Sequence, residues 1–397
     1  MHRITVIGGG LAGLTAAIAA AEAGAEVTLH EAHHTLGGRA RTADAPYRRN
    51  EGPHALYKGG PHWTWLARRD LIGPLAPLPP LEATRLRLRH HGALRRTPPL
   101  AMLKLLHRAT RHHAPVDTDF LTWATELAGE DGARAAAHYS AVALFHHDPG
   151  ALSAAFVHER LRRATRLPPE AHYPRGGWST LVDRMATHAW NLGVRLETLS
   201  RVDTLPEDSP VIVATSLDAA RRLLKDDSLT WPSGRTTLID LALHPLPRPR
   251  SIGGPPKGDA FAVSDLDAPG WIERFTAQDH TLAPAGEQLI QGQIPIAPHQ
   301  TKADGVTRAE QLLDLGFPDW RERLTWRREA VATARTGAVD PPGTSWRDRP
   351  AIDRGDDVYL AGDQVASPGL LCEVSFTSAL TAVSLALGRT CLDREHT

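Results

Sequence analysis

Apolar residues along this chain repeat with two periods, and the alternation between them lays out the elements. Residues 3–7 form a β-branched apolar run of strand length. Gly8, Gly9 and Gly10 turn the chain. Residues 11–24 are an Ala-rich helical stretch closed by Gly24, and residues 25–31 read as a second strand ending in an acid. This is a βαβ unit. Helical spacing returns at 62–72, 100–113, 117–127, 132–145 and 151–167, with Pro and Gly between the segments. Strict alternation over 84–89, a His-His-Gly turn and residues 93–97 make a hairpin. The hairpin and these helices form an insert too long to be a loop. A helix at 178–191 is followed by strands at 194–198 and 209–215 and a helix at 217–224. Strands at 236–243, 260–263, 271–275 and 288–294 follow one another without helices, the pattern of an antiparallel sheet. A helix at 303–315, an extended stretch at 324–334, a buried strand ending at Gly362-Asp363 and a helix at 371–387 complete the chain.

At 397 residues the chain is long enough for two or three cores. Lysine plus arginine equals aspartate plus glutamate, 45 each, so no charge bias points to nucleic acid or an anionic membrane. The 21 histidines include the pairs His33-His34, His90-His91, His112-His113 and His146-His147. None has a metal-site spacing along the chain, and they read as surface residues, with no metal site expected. Two cysteines, Cys372 and Cys391, fit a reducing compartment and exclude a disulfide framework. A strand beginning at Arg3 leaves no room for a signal peptide, and no apolar run reaches the ~20 residues of a membrane span. The expectation is a soluble cytoplasmic protein. Residues 100–108 are basic and amphipathic, and read as a core-facing helix with snorkelling Lys and Arg rather than a membrane contact.

Candidate chemistry begins at the first turn. Gly8, Gly10 and Gly13 make a G-x-G-x-x-G turn between a strand and a helix, and Glu31 lies 18 residues past Gly13. Gly8 permits the tight turn, Gly10 lets a pyrophosphate approach the backbone, and Gly13 lets helix and strand pack closely. The helix start at Leu11 and Ala12 offers unpaired N–H groups and a partial positive charge to phosphate. Glu31 can accept hydrogen bonds from both ribose hydroxyls. Dinucleotide binding follows, and the motif alone leaves NAD and FAD both open.

Four segments together resemble the flavoprotein superfamily of amine oxidases, protoporphyrinogen oxidases and phytoene desaturases. They are the first motif with its Gly37-Gly38-Arg39-x-Arg41 extension, Asn50–His54, Tyr173–Gly177, and Gly362-Asp363 with the helix after it. The resemblance implies FAD as cofactor, with Gly37, Gly38 and Arg39 closing over its diphosphate and ring side. It implies Gly52, Pro53 and His54 beside the isoalloxazine, although Asn50 stands where relatives carry an acid. It carries a backbone contact to adenine to Val202, a ribityl or diphosphate contact to Gly362 and Asp363, and a contact with the flavin O2 side to Leu371. Cys372 lies after the Gly-Asp pair, unlike the cysteine that binds flavin covalently in amine oxidases, and reads as a small buried residue.

The fold implied is α/β: a Rossmann-like FAD-binding domain of amine-oxidase type, discontinuous over 1–60, 173–225 and 345–397. An α+β substrate domain of helices and antiparallel sheet is inserted at 61–172 and 226–344. The activity implied is transfer of a hydride from a C–N or C–C bond of a small or lipophilic substrate to flavin N5, with dioxygen or another acceptor re-oxidising the flavin. No catalytic base can be named from the residues; His54, Arg175 and Lys58 are candidates by position. Two alternatives stay open: a redox-neutral mutase or isomerase on this fold, and a non-enzymatic binder like the GDP-dissociation inhibitors. Substrate and oligomeric state are not legible.

Overall fold

The computed structural model describes residues 2–52, 55–206, 209–246 and 258–388. The chain begins β1 (Arg3–Ile7), α1 (Leu11–Glu22), β2 (Glu26–His30), β3 (Leu56–Tyr57), α2 (Pro61–Arg68), β4 (Leu75–Ala76), α3 (Pro80–Ala83), β5 (Leu86–His90) and β6 (Ala93–Arg95). It continues α4 (Leu100–Ala109), α5 (Phe120–Ala128), α6 (Glu130–Leu144), α7 (Ala154–Ala164), β7 (Ala171–Pro174), α8 (Ser179–Asn191), β8 (Arg195–Glu197), β9 (Val211–Val213) and α9 (Leu217–Leu224). It ends β10 (Ser233–Leu243), β11 (Ala262–Asp265), β12 (Gly270–Arg274), β13 (Gln288–Pro295), α10 (Lys302–Gly316), β14 (Leu324–Ala338), β15 (Val358–Leu360) and α11 (Cys372–Ala386).

Among the described residues the strands form three sheets. The first, in the order β15-β9-β1-β2-β8, is parallel throughout. Its strands come from the beginning, middle and end of the chain, and the central β1 and β9 with β15 are buried on both faces, as helices covering a parallel sheet require. α1 packs against α11 and α8. Ala16, Ala17 and Ala20 of α1 and Ala379, Ala382 and Ala386 of α11 are buried in the core these helices share, and side chains this small let two backbones approach. Trp178, Leu14, Ile18 and Leu29 fill that core, each larger aliphatic contributing about 1.5–3 kcal/mol of burial.

The second sheet runs β14-β10-β13-β12-β11-β5-β6. Its main body is antiparallel, as the run of strands predicts, but β5 pairs parallel with β11. The hairpin therefore extends this sheet, while Leu88 of β5 also packs into the core of the helical insert. α10 covers one face, where Ile239, Leu241, Ile272, Ile290 and Ile294 meet Leu312, Leu313 and Phe317. Helices α4 to α7 hold a core of their own around Met102, Leu105, Phe120 and Leu161. The third sheet, β3-β7-β4, is made of two- to four-residue strands too short to leave a periodic signal.

Together these elements form an α/β structure: a parallel Rossmann-like sheet beside a separate, largely antiparallel sheet.

Candidate functional site

The site forms at the carboxyl edge of the parallel sheet, where β1, β2, β9 and β15 all end. Gly8 leaves β1 with φ at +106° and donates its N–H to His30 O at 2.7 Å. A Cβ on Gly13 would lie 1.8 Å from Gly8 O, so α1 can sit this close to β1 only with glycine there. Gly10 behaves differently. A Cβ on it would find nothing nearer than Gly37 O at 3.9 Å, so the space in front of it is open. α1 starts with no side-chain cap and no acid in its first turn. Its first N–H groups, from Leu11 onward, have no partner within the helix. An open, uncapped helix start beside a glycine is a cradle for a diphosphate.

Glu31 follows β2 and is 7 % exposed. Its Oε2 accepts the Gly9 N–H at 2.8 Å, and its Oε1 accepts the His33 N–H at 2.9 Å. His33 Nδ1 also lies 2.8 Å from Oε1. The carboxylate is therefore oriented by two residues that chain spacing does not single out. Ser200 N donates to Glu31 O and Leu199 N to His33 O, which brings the segment leading to half-buried Val202 beside this acid.

The glycine pair after β2 closes on the first turn. Gly10 and Gly37 form a parallel bridge, and Gly37 N donates to Gly9 O at 2.7 Å. Arg39 then reaches the end of the chain: Nη1 and Nη2 donate to Asp363 Oδ2 and Oδ1 at 2.7 and 2.6 Å. Burial alone would lower the pKa of the Arg39 guanidinium, but the Asp363 charge and hydrogen bonds raise it, so the guanidinium stays charged. Gly362, just before, is tied to α11 through Ser378, whose Oγ accepts the Gly362 N–H at 3.0 Å.

Asp363 stands between two pockets. One is lined by Leu371, Val374, Arg160, Arg349 and Gly337. The other is lined by Thr215, Leu217, Gly362 and Gln364. Leu371 precedes α11 in a left-handed conformation, φ +51°. Cys372 is buried as a free cysteine, and burial first, then the Glu373 charge, pushes its thiol up to about 12. It is inert at neutral pH.

Gly52 also belongs here, for a reason other than ligand approach. A Cβ on it would lie 2.6 Å from Arg39 O, so the absent side chain makes room for protein backbone. Asn50, the departure from the family pattern, is 7 % exposed and satisfied. Its Oδ1 accepts from Thr42 Oγ1 at 2.9 Å and from Trp178 N at 3.3 Å. Its backbone N–H and C=O are both bonded by Gln291, at 3.2 Å each. Asn50 therefore ties the segments of Thr42, Trp178 and Gln291 to its own.

The expected flavin contact Pro53 and the catalytic candidate His54 lie outside the described residues. Lys58 is exposed at the end of β3, and Arg175 is exposed with its backbone N–H on Pro74 O. Chain spacing also missed one donor group. His90 Nε2 and His91 Nε2 lie 3.1 and 3.0 Å from Asp131 Oδ1, some 40 residues away, with the two rings stacked at 3.9 Å. It is the group at metal-ligand spacing found among the described residues. On α4, Met102, Leu105 and Ala109 face the core while Leu100 and Leu103 are exposed. Among the described residues no helix is long and apolar enough to cross a membrane.

An uncapped glycine-rich helix start, an acid after the second strand and a C-terminal Gly-Asp folded onto the first loop define a dinucleotide-binding α/β protein with the fold of the amine-oxidase-type flavoproteins. Residues 6–71 match the NAD(P)-binding Rossmann-like domain family. No curated protein matches the chain in sequence. Among solved structures, an oxidoreductase from Methanosarcina mazei superposes with a TM-score of 0.77 at 18 % identity, covering 96 % of this chain and 100 % of that one. Cyclohexylamine oxidase from Brevibacterium oxydans gives 0.70 at 16 %, covering 99 % and 100 %. A protein from Exiguobacterium assigned as a protoporphyrinogen oxidase gives 0.64 at 15 %, covering 98 % and 99 %. The same fold serves a UDP-galactopyranose mutase and a Rab GDI from Plasmodium falciparum, at 14 % and 10 % identity with TM-scores of 0.67 and 0.58.

Proposed function

We propose that the protein is an FAD-dependent oxidoreductase that removes a hydride from a C–N or C–C bond of a small or lipophilic substrate. Residues 1–60, 173–225 and 345–397 would form the cofactor-binding part, with 61–172 and 226–344 on the substrate side. The observation that carries the reading is the contact between the beginning and the end of the chain. Gly10 bridges Gly37, and two residues later Arg39 grips Asp363.

The residues present fit an FAD. The uncapped start of α1 and the open space at Gly10 would take the diphosphate, Glu31 the ribose hydroxyls, and Arg39 with Asp363 the middle of the molecule. When bound, FAD supplies a two-electron acceptor at its ring. The protein's contribution is to hold the cofactor at both ends and to exclude water on the side of buried Asn50. Lys58 and Arg175 are exposed, so no base is assigned to them.

Purified protein should carry a yellow flavin spectrum, and anaerobic addition of the right member of a panel of amines, amino acids, polyenes and porphyrinogens should bleach it. Protein that stays colourless with added FAD would overturn the reading. The mutase that shares this fold supports a second, redox-neutral reading. Turnover that needs reduced flavin yet leaves it reduced would favour that one. The inhibitor-like reading is weakened by Glu31 and Asp363, two acids placed where a flavin nucleotide would need them.

A further inference from the structure

The tip of the β5–β6 hairpin places two histidines where such a turn does not favour them. His90 pairs with Ala93, which leaves His91 and Gly92 as a two-residue loop. Both have positive φ, +50° and +73°, the pattern of a type I′ turn. Asparagine, aspartate and glycine are the usual residues at its first position, so His91 is a departure. Asp267, two residues past β11, holds the turn. It accepts the His91 N–H at 2.7 Å and the Gly92 N–H at 2.8 Å.

Successive residues of a strand point to opposite faces. The left-handed turn at His91 instead brings its ring onto that of His90, with centroids 3.9 Å apart and planes at 26°. Both rings then meet one atom. His90 Nε2 lies 3.1 Å and His91 Nε2 3.0 Å from Oδ1 of Asp131, in the first turn of α6. The three donor atoms lie within 4.8 Å of one another. The chain has four adjacent histidine pairs, and among the described residues it is this one that converges with a carboxylate in a group of three. The His90 side chain is 12 % exposed and fixed by its surroundings, while those of His91 and Asp131, at 70 % and 50 %, leave the group open to solvent.

Hydrogen bonding alone puts both Nε2–H groups on a single carboxylate oxygen, and two protonated rings at stacking distance would repel. A divalent cation in that place would use two imidazole lone pairs and a carboxylate together. Two neutral imidazole nitrogens and a carboxylate oxygen suit a borderline ion such as Zn²⁺, whereas Mg²⁺ and Ca²⁺ select oxygen ligands. Zinc bonds of about 2.0 Å set tetrahedral edges of roughly 3.3 Å. The separations of 3.0 and 3.1 Å are close to that edge. We propose that His90, His91 and Asp131 form a Zn²⁺ site, completed by water, that ties the β5–β6 hairpin to α6. The ion links the end of the second sheet to the helical insert across 40 positions of the chain, and its binding energy stabilises the fold that brings the ligands together. The site is independent of the flavin reading.

The test titrates Zn²⁺ calorimetrically into the full chain after chelator treatment, as wild type, His91→Asn, Asp131→Asn and a control carrying His112→Ala with His113→Ala. His91→Asn is the informative variant, because asparagine suits the turn while removing a ligand. Wild type should bind one equivalent, and Zn²⁺ should raise its melting temperature. Metal-free His91→Asn should melt no lower than metal-free wild type. It should lose at least about tenfold in Zn²⁺ affinity, the scale on which even outer-shell partners act, and lose the Zn²⁺-dependent shift. Asp131→Asn should weaken binding likewise, the control should match wild type, and Mg²⁺ should give no shift. Undiminished Zn²⁺ affinity or melting shift in His91→Asn, an equal loss in the His112–His113 control, or no saturable equivalent in wild type overturns the proposal.

Discussion

Single atoms decide the behaviour of the first loop. Gly10 and Gly13 belong to one motif, yet their surroundings set different outcomes. In Gly13→Ala the new methyl would lie 1.8 Å from Gly8 O, so helix and strand must part, at a cost above about 3 kcal/mol. Soluble Gly13→Ala with an unchanged melting temperature would show that the loop yields. Gly10→Ala meets only Gly37 O, at 3.9 Å. It should fold like wild type by circular dichroism and lose at least tenfold in flavin affinity, read from the 450 nm to 280 nm absorbance ratio. Glu273 of β12, 2 % exposed and hydrogen-bonded by Gln278, Trp271 and Tyr173, carries a pH dependence of its own. Its carboxyl titrates near 4.5 when unfolded and about 7 when folded. Between those values the folded protein holds the extra proton, so this stabilisation is complete below pH 4.5 and lost as pH rises through 7. The loss is on the order of 3 kcal/mol. The gap in melting temperature between Glu273→Gln and wild type should therefore grow in favour of the variant from pH 5 to pH 8.

At the scale of elements, the long antiparallel sheet is joined to the loop after β2 by hydrogen bonds as well as by ring contacts such as Tyr47 on Trp326. Gln291 of β13 bonds both backbone groups of Asn50 and one oxygen of Asp240, at 2.8 Å. Gln291→Leu would leave these buried groups without partners. It should lower unfolding stability by about 3 kcal/mol, measured by urea denaturation, and loosen flavin retention because Gly52 rests on Arg39. A loss below 1 kcal/mol would mean that water replaces the amide. The helices and long strands were legible because their periods run for eight residues or more; residues 217–224 are helical from first to last as expected. The parallel pairing of β5 with β11 was not, since each strand pattern is the same whichever way its partner runs. The cross-strand pairing of Gln291 with Glu273 was not legible either. Alternation on β12 separates Ile272 from Trp271 and Glu273, but only the register sets Glu273 beside Gln291.

At the scale of the molecule, segments far apart in sequence meet in one sheet. The parallel sheet draws its strands from residues 3, 26, 195, 211 and 358 onward, and the Arg39–Asp363 pair spans 324 positions of the chain. A ligand touching both ends should stabilise the whole by mass action. FAD at about 100 times its dissociation constant should raise stability by ~2.7 kcal/mol, seen as a shift of several degrees by calorimetry. Asp363→Asn should cut that shift, because a neutral amide offers Arg39 one acceptor in place of a carboxylate fork. An undiminished shift in the variant would separate Asp363 from the cofactor.

The linear order of residues was enough to specify the βαβ unit, the glycine turn, the acid after β2 and the Gly-Asp before α11, because each rests on local backbone geometry and short-range periodicity. Only the three-dimensional arrangement decided that Arg39 meets Asp363, that Gly52 yields to Arg39, that Asn50 braces the segments around it and that Glu273 accepts from Tyr173, Trp271 and Gln278. Those facts depend on which strand lies beside which, and burial and charge pairing are set by neighbours in space, far apart along the chain.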